Sequence, residues 1–359
     1  MVVPGLPQDS ERPWHVTPER FAQVARWAAW SLVAIVITGS LVRLTGSGLG
    51  CSDWPTCEPG EFVPAADFHG WVEFGNRLVT GLVSVAVVAA VGASLWRRPR
   101  RNDLAWWSLG LVAGVAFQVG LGAVTVLTHL SPPIVMSHFL ASQVLVAAAV
   151  VLAHRAGTEP GSEHACAAPL SARIRTLAWL AAALTAAALW TGTVVTGTGP
   201  HGGDEHVERL QFALPSVARF HGVTVALLAG VTLLLGATVR RNAARTPARR
   251  TSEGRRGGEP RDAGPRDAER CAALARRVRI VIAVIAVQAA IGYIQYFNEL
   301  PVLLVALHVA GATWLTMAMT RLVLAAESGH QAGPETGDPA SNPALSESSH
   351  GLDPSVLRR

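Results

Sequence analysis

Eight apolar runs dominate the 359-residue chain, at about residues 26–43, 72–95, 104–127, 132–153, 174–196, 216–239, 280–297 and 301–322. Most approach the ~20 residues that the hydrocarbon core of a bilayer requires of an α-helix. Half of all residues are hydrophobic, which is too many for an ordinary soluble domain. The pattern therefore predicts an all-α integral membrane protein with eight transmembrane helices. The polar first stretch and the spanning length of the first run argue against a cleavable signal peptide.

Charge orients these spans. Arg97, Arg98, Arg100 and Arg101 follow the second run, Arg155, Arg173 and Arg175 flank the fourth connection, and an Arg-rich stretch follows the sixth. The odd-numbered connections are acidic or neutral, with Asp53, Glu58, Glu61 and Asp67 in the first and Asp204, Glu205 and Glu208 in the fifth. The positive-inside rule then puts both termini in the cytoplasm and the Cys-containing loop outside, as expected of a multi-pass membrane protein. Residues 1–25 form a cytoplasmic segment, 155–173 a cytoplasmic connection, and 240–279 and 323–359 a disordered linker and tail poor in apolar residues. The Arg-rich linker lacks interleaved aromatics, so nucleic acid is not an expected partner; anionic lipid headgroups are a candidate contact.

The two halves repeat. Gln118, Gly122 and His138 recur as Gln288, Gly292 and His308 at one offset of 170, and Thr38-Gly39-Ser40 recurs as Thr191-Gly192-Thr193. Asn76 falls opposite His221. This predicts two tandem four-helix bundles, residues 26–154 and 174–322, related by a pseudo-twofold axis along the membrane normal.

Four polar side chains share a depth. Asn76, His138, His221 and His308 each lie six or seven residues past the outer start of their helix, roughly 9–10 Å into the membrane. The second and fourth helices of each half run in the same direction, so such side chains can meet inside a bundle. Paired intramembrane histidines point to a bis-imidazole haem site, with His221 and His308 as iron ligands. For any single one, the competing reading is a hydrogen-bonded structural histidine. His138 faces only Asn76. His69 and His129, in or beside outer loops, are either solvated or replacement ligands. His201 and His206, near Asp204 and Glu205, are a solvated loop or a surface metal site. His15, His154, His164, His330 and His350 fall on the cytoplasmic side without an assigned function.

Glu73 occurs in the first half only, where its counterpart is Ala218, and it precedes Asn76 by three residues on one helix face. A carboxylate inside an apolar span is costly and marks function by default; the competing reading is a buried acid paired with Arg77 or Arg43. Cys51 and Cys57 lie on the oxidising side, where a disulfide is the default. Cys166 and Cys271 fall on the cytoplasmic side with no evident role.

At TGSLVRLTGSGLGCSDWPTC, FVP, WVEFGNR, VLTHLSPPIVMSHF, RFHG and ALHVAG the chain resembles the heme A synthase family, over about residues 26–322. The run GSGLGCSDWPTC carries most of the specificity. The resemblance implies an oxidoreductase that converts a methyl group of heme O to the formyl of heme A by successive hydroxylations, for cytochrome c oxidase. It implies a haem b on His221 and His308, the substrate haem iron on His138, Glu73 as the essential acid, and a disulfide with a redox part at Cys51 and Cys57. Arg43 and Arg77, at the outer boundary, are candidates to pair with haem propionates or simply snorkel. Heme O synthase and the oxidase assembly machinery are the implied protein partners, and a homo-oligomer is left open. Many members have His where this chain has Asn76, so the substrate haem keeps one histidine or recruits another ligand. The rival classes are a non-catalytic di-haem cytochrome b, which does not explain Glu73 in one half or the Cys loop, and a haem carrier to an oxidase, for which the open first site would be a transfer site.

Overall fold

The structure, a computed structural model, describes residues 15–158, 171–254 and 264–327, of which 244–254 and 264–268 are described as backbone only. It contains α1 Pro18–Leu44, α2 Phe68–Trp96, α3 Asn102–Leu127, α4 Pro132–Ala156, α5 Ala172–Thr198, α6 Leu214–Gly254, α7 Gly264–Phe297 and α8 Val302–Glu327. All eight are long and apolar enough to cross a membrane. Among the described residues, strand-like pairing is confined to two isolated bridges, Val16 with Arg97 and Glu58 with Glu61. The protein is an all-helical, multi-pass membrane protein.

The helices run past the predicted spans at identifiable caps. α1 begins well before the apolar run because Thr17 Oγ1 accepts from the Arg20 N–H at 3.3 Å and Pro18 occupies the first helical position. α2 starts under Asp67, whose carboxylate accepts from the Gly70 N–H at 2.9 Å. α6 continues to Gly254 and α7 begins at Gly264, so helical backbone occupies much of the 240–279 stretch read above as linker. The Arg that makes this stretch polar, and the Ala between, are also strong helix formers, and composition alone hid that. Residues 255–263, most of the fourth connection with Cys166 and His164, the first fourteen residues and the tail beyond 327 lie outside the described residues.

α1 packs on α2 and α4, and α3 on α2 and α4; α5 packs on α6 and α8, and α7 on α6 and α8. Two apolar cores result, one around Phe21, Ala25, Val87, Leu104 and Val146, the other around Ile174, Ala181, Leu235, Val281 and Leu322. The halves meet where α4 and α1 touch α8 and where α4 touches α5. In that seam Gln143 Nε2 donates to Thr313 Oγ1 at 3.1 Å and Gln143 Oε1 accepts from Thr316 Oγ1 at 2.8 Å. Residues 143 and 313 are separated by the repeat offset of 170. Large apolar side chains such as Leu82, Val85, Phe117, Leu227 and Leu303 face outward, as lipid contact requires.

At one end of the bundle the α1–α2 loop interlocks with the α5–α6 loop. The Gly48 N–H donates to the Gly203 carbonyl at 2.8 Å, and Arg43 Nη2 donates to the Thr196 carbonyl at 3.0 Å. The loop above the first half is thereby anchored to the second.

Candidate functional site

The repeated polar positions share one local architecture. Each lies against a glycine of the neighbouring helix: Asn76 against Gly39, His138 against Gly122, His221 against Gly192 and His308 against Gly292. A methyl group on any of these glycines would stand 3.3–3.8 Å from the ring or amide, within the space the side chain sweeps. At Gly39 and Gly122 this is an ordinary van der Waals distance and at Gly192 a tight one, so each polar side chain lies directly on the neighbouring helix.

In the second half, His221 and His308 have ring centroids 6.4 Å apart with planes at 77°. Two imidazoles binding one metal from opposite sides at ~2 Å would hold their centroids roughly 6 Å apart. The tautomer of His221 follows from its partner. Thr191 has one hydroxyl hydrogen, which goes to the Ala187 carbonyl at 2.9 Å, so Oγ1 accepts from His221 Nδ1–H at 3.0 Å. That leaves Nε2 with its lone pair free to bind a metal, the usual arrangement for a ligating histidine. His308 Nδ1 is buried and makes no hydrogen bond. Among the described residues no three His, Cys, Asp or Glu side chains converge, so the pair does not belong to a protein-only cation cage.

In the first half, Thr38 Oγ1 donates to Asn76 Oδ1 at 2.9 Å, as Thr191 partners His221 at the matching place. The oxygen of Asn76, the atom of an amide that binds iron, is thus already engaged. His138 Nδ1 is buried without a partner. Its carbonyl accepts from Gln118 Nε2 at 3.0 Å, and the same amide nitrogen contacts Ser142 Oγ. Gln118 Oε1 is buried and unbonded. His69, bonded through Nδ1 to Ser47 Oγ at 2.9 Å, and His129 are both exposed.

Glu73 is buried and bonded at both oxygens: Oε1 accepts from Arg77 Nη2 at 2.7 Å and Oε2 from the Cys51 N–H at 2.8 Å. Arg77 also donates to the Thr56 carbonyl at 2.8 Å and the Asp53 carbonyl at 3.0 Å. Cys51 and Cys57 form a disulfide and are fully buried. The acid, the guanidinium and the disulfide loop are one hydrogen-bonded unit. Gly50 makes it possible: a Cβ there would collide with the His69 backbone, so the loop can lie on the start of α2 only without one.

Of the two arginines considered for Glu73, Arg77 is the partner; Arg43 reaches across to α5, and its Nε is buried without a bond. His201 Nε2 lies 2.7 Å from the Leu300 carbonyl and His206 Nδ1 3.5 Å from Asp204 Oδ1, so the two do not converge on a shared metal. Thr38 and Thr191 were missed as site residues, although the repeated Thr-Gly pair signals them.

The family COX15-CtaA, described as cytochrome oxidase assembly protein, matches residues 24–200. A heme A synthase of Geobacillus thermodenitrificans is 34% identical over 105 residues, 29% of this chain and 32% of that protein. One of Symbiobacterium thermophilum is 34% identical over 179 residues, 47% of this chain and 56% of that protein. The matched stretches thus span from just under a third to just over a half of these relatives' length.

Proposed function

We propose, from the premise that through residues 24–200 the chain belongs to the cytochrome oxidase assembly protein family COX15-CtaA, that it is a heme A synthase. In this reading it oxidises a methyl group of heme O to a formyl group in a bacterial plasma membrane, with both termini cytoplasmic. The observation that carries the reading is an asymmetry: a buried carboxylate wired to a disulfide loop stands over the first half, while the second holds a histidine pair at metal-bridging separation. An electron-transfer cytochrome has no use for the former.

The two halves act as tandem four-helix bundles about a pseudo-twofold axis. Support comes from Gln143 and Thr313, which occupy equivalent places in the repeat and touch each other, as residues on such an axis must. His221 Nε2 and His308 would hold a haem b, whose chemistry when bound is one-electron transfer. The fit rests on the centroid separation, on the Thr191-fixed tautomer and on the unbonded His308 ring.

His138 would bind the iron of the substrate and Thr38 would orient Asn76 beside it. Glu73 faces Arg77 across the ion-pair contact. With each oxygen accepting one hydrogen bond, each retains a further acceptor site for a proton from the reacting centre. Arg77 keeps Glu73 in place and closes the loop over the bundle end, limiting access of water.

Expression with heme O synthase, followed by haem extraction and chromatography, tests the proposal. Heme A should accumulate in cells carrying this chain; heme O alone would overturn it. Replacing Asn76 by His would supply a second imidazole opposite His138. The first-half haem is expected to move toward six-coordinate low spin and to lose carbon monoxide binding, read by optical difference spectra.

A further inference from the structure

We infer that the cleft between α3 and α4 receives the apolar tail of the porphyrin substrate and that Gln118 Oε1 accepts a hydrogen bond from the hydroxyl at the root of that tail. The inference rests on the heme O reading above, because heme O differs from protohaem by a hydroxyl-bearing carbon that continues into a fifteen-carbon farnesyl chain. The cleft has a volume of about 550 Å³ and an almost wholly apolar wall that includes Trp107, Gly110, Gly114, Gln118, Val144 and Ala148.

Its placement is set by one stripe of α3. Trp107, Leu111, Gly114, Gln118 and Gly122 recur at spacings of four, three, four and four, which keeps them on one helix face. Gly122 is the residue against which His138 packs. The stripe that lines the cleft therefore leads toward the His138 site, and the cleft itself reaches about 16 Å from Gln118 to Trp107 at the helical rise. At its head stands a buried, unbonded acceptor, Gln118 Oε1, whose amide nitrogen is already taken by the His138 carbonyl. A buried acceptor left unmade is costly, and a hydroxyl arriving with the ligand would satisfy it. Gln288 Oε1, at the repeat position, is buried and unbonded as well, so the cleft beside Gln118, and not the amide alone, sets the first half apart.

The second half carries bulkier residues at the matching positions. At the repeat offset of 170, Gly110 and Gly114 become Ile280 and Val284, and Val144 becomes Trp314, which packs on Trp30 at 6.1 Å. Three larger side chains thus stand at the positions that line the cleft in the first half. A haem b carries no farnesyl chain, so the half proposed to hold it needs no cleft, and the half with Glu73 has one. A lipid acyl chain would fill the apolar length but offers no donor to Gln118.

The test compares porphyrins by optical titration of the full chain, purified with its second-half haem in place as an internal check of folding. The unmodified protein should bind heme O at least ~10-fold tighter than protohaem. Gly110→Ile, at a position where an added Cβ meets nothing within 4 Å, should abolish most of that preference by weakening heme O while protohaem stays within about twofold. Val144→Trp, which copies the second half, should do the same should Gly110→Ile fold poorly. Gln118→Leu should reduce the preference by about 3–10-fold. An unchanged preference in these variants, or equal weakening of both porphyrins, overturns the tail assignment. So does loss of co-purifying phospholipid with the preference intact, which would give the cleft to an acyl chain. If heme A still accumulates in any of these cases, only the tail assignment fails; if the unmodified chain makes no heme A, the functional reading fails first.

Discussion

Glu73→Gln is expected to lower heme A formation by at least ~10²-fold while leaving the second-half haem absorbance unchanged. The substitution is chosen because glutamine preserves the shape and one acceptor. Its Oε1 can still receive the Cys51 N–H, which Glu73 Oε2 accepts at 2.8 Å, so the loop has a means of staying docked. What goes is the charge facing Arg77 across 2.7 Å and the capacity to take up a proton. Removing one member of a buried ion pair leaves the other uncompensated, at a cost of roughly 3–5 kcal/mol. Arg77 escapes most of this penalty, since it keeps the carbonyls of Asp53 and Thr56. Haem extraction after co-expression with heme O synthase reads the activity, and thiol alkylation before and after mild reduction reads whether the Cys51–Cys57 loop still covers α2. Normal heme A with an intact loop would remove Glu73 from the chemistry and leave it as an anchor of the loop.

The second large effect is expected at His221 and His308. Replacing either by Ala should eliminate the low-spin haem b spectrum of the second half and, with it, heme A formation. The two rings stand 6.4 Å apart and neither has a protein partner for its outward nitrogen, so loss of one leaves nothing to complete the pair. Thr191→Val gives the graded version. It removes the acceptor of His221 Nδ1–H without touching a ligand, and such losses typically weaken metal binding by about 10–100-fold. A haem spectrum that survives the alanine substitutions would strike both residues from the ligand set.

These expectations draw unequally on sequence and on packing. The repeat was legible because its anchors keep one offset, Gln118 with Gln288 and His138 with His308. The Thr-Gly pairs beside them were visible but their purpose was not, because the hydroxyl's target lies on another helix. The linker between the sixth and seventh spans read as disordered from its charge, whereas α6 and α7 extend through much of it; Arg and Ala satisfy a helix backbone regardless of hydropathy. Helix starts at Thr17 and Asp67 were equally hidden, since a cap acts through one hydrogen bond and leaves no periodicity.

The amino-acid sequence by itself determined the eight spans, their alternating flanking charge, the duplication and the depth of each polar residue along its helix. All of these are quantities counted along a chain of constant rise. Only the tertiary structure decided that Glu73 binds Arg77 and the Cys51 N–H, that Arg43 crosses to Thr196, that Gln143 meets Thr313, and that α3 and α4 leave a cleft between them. Those outcomes depend on which helix faces meet and how closely, and spacing along one helix carries no information about the azimuth of its neighbour.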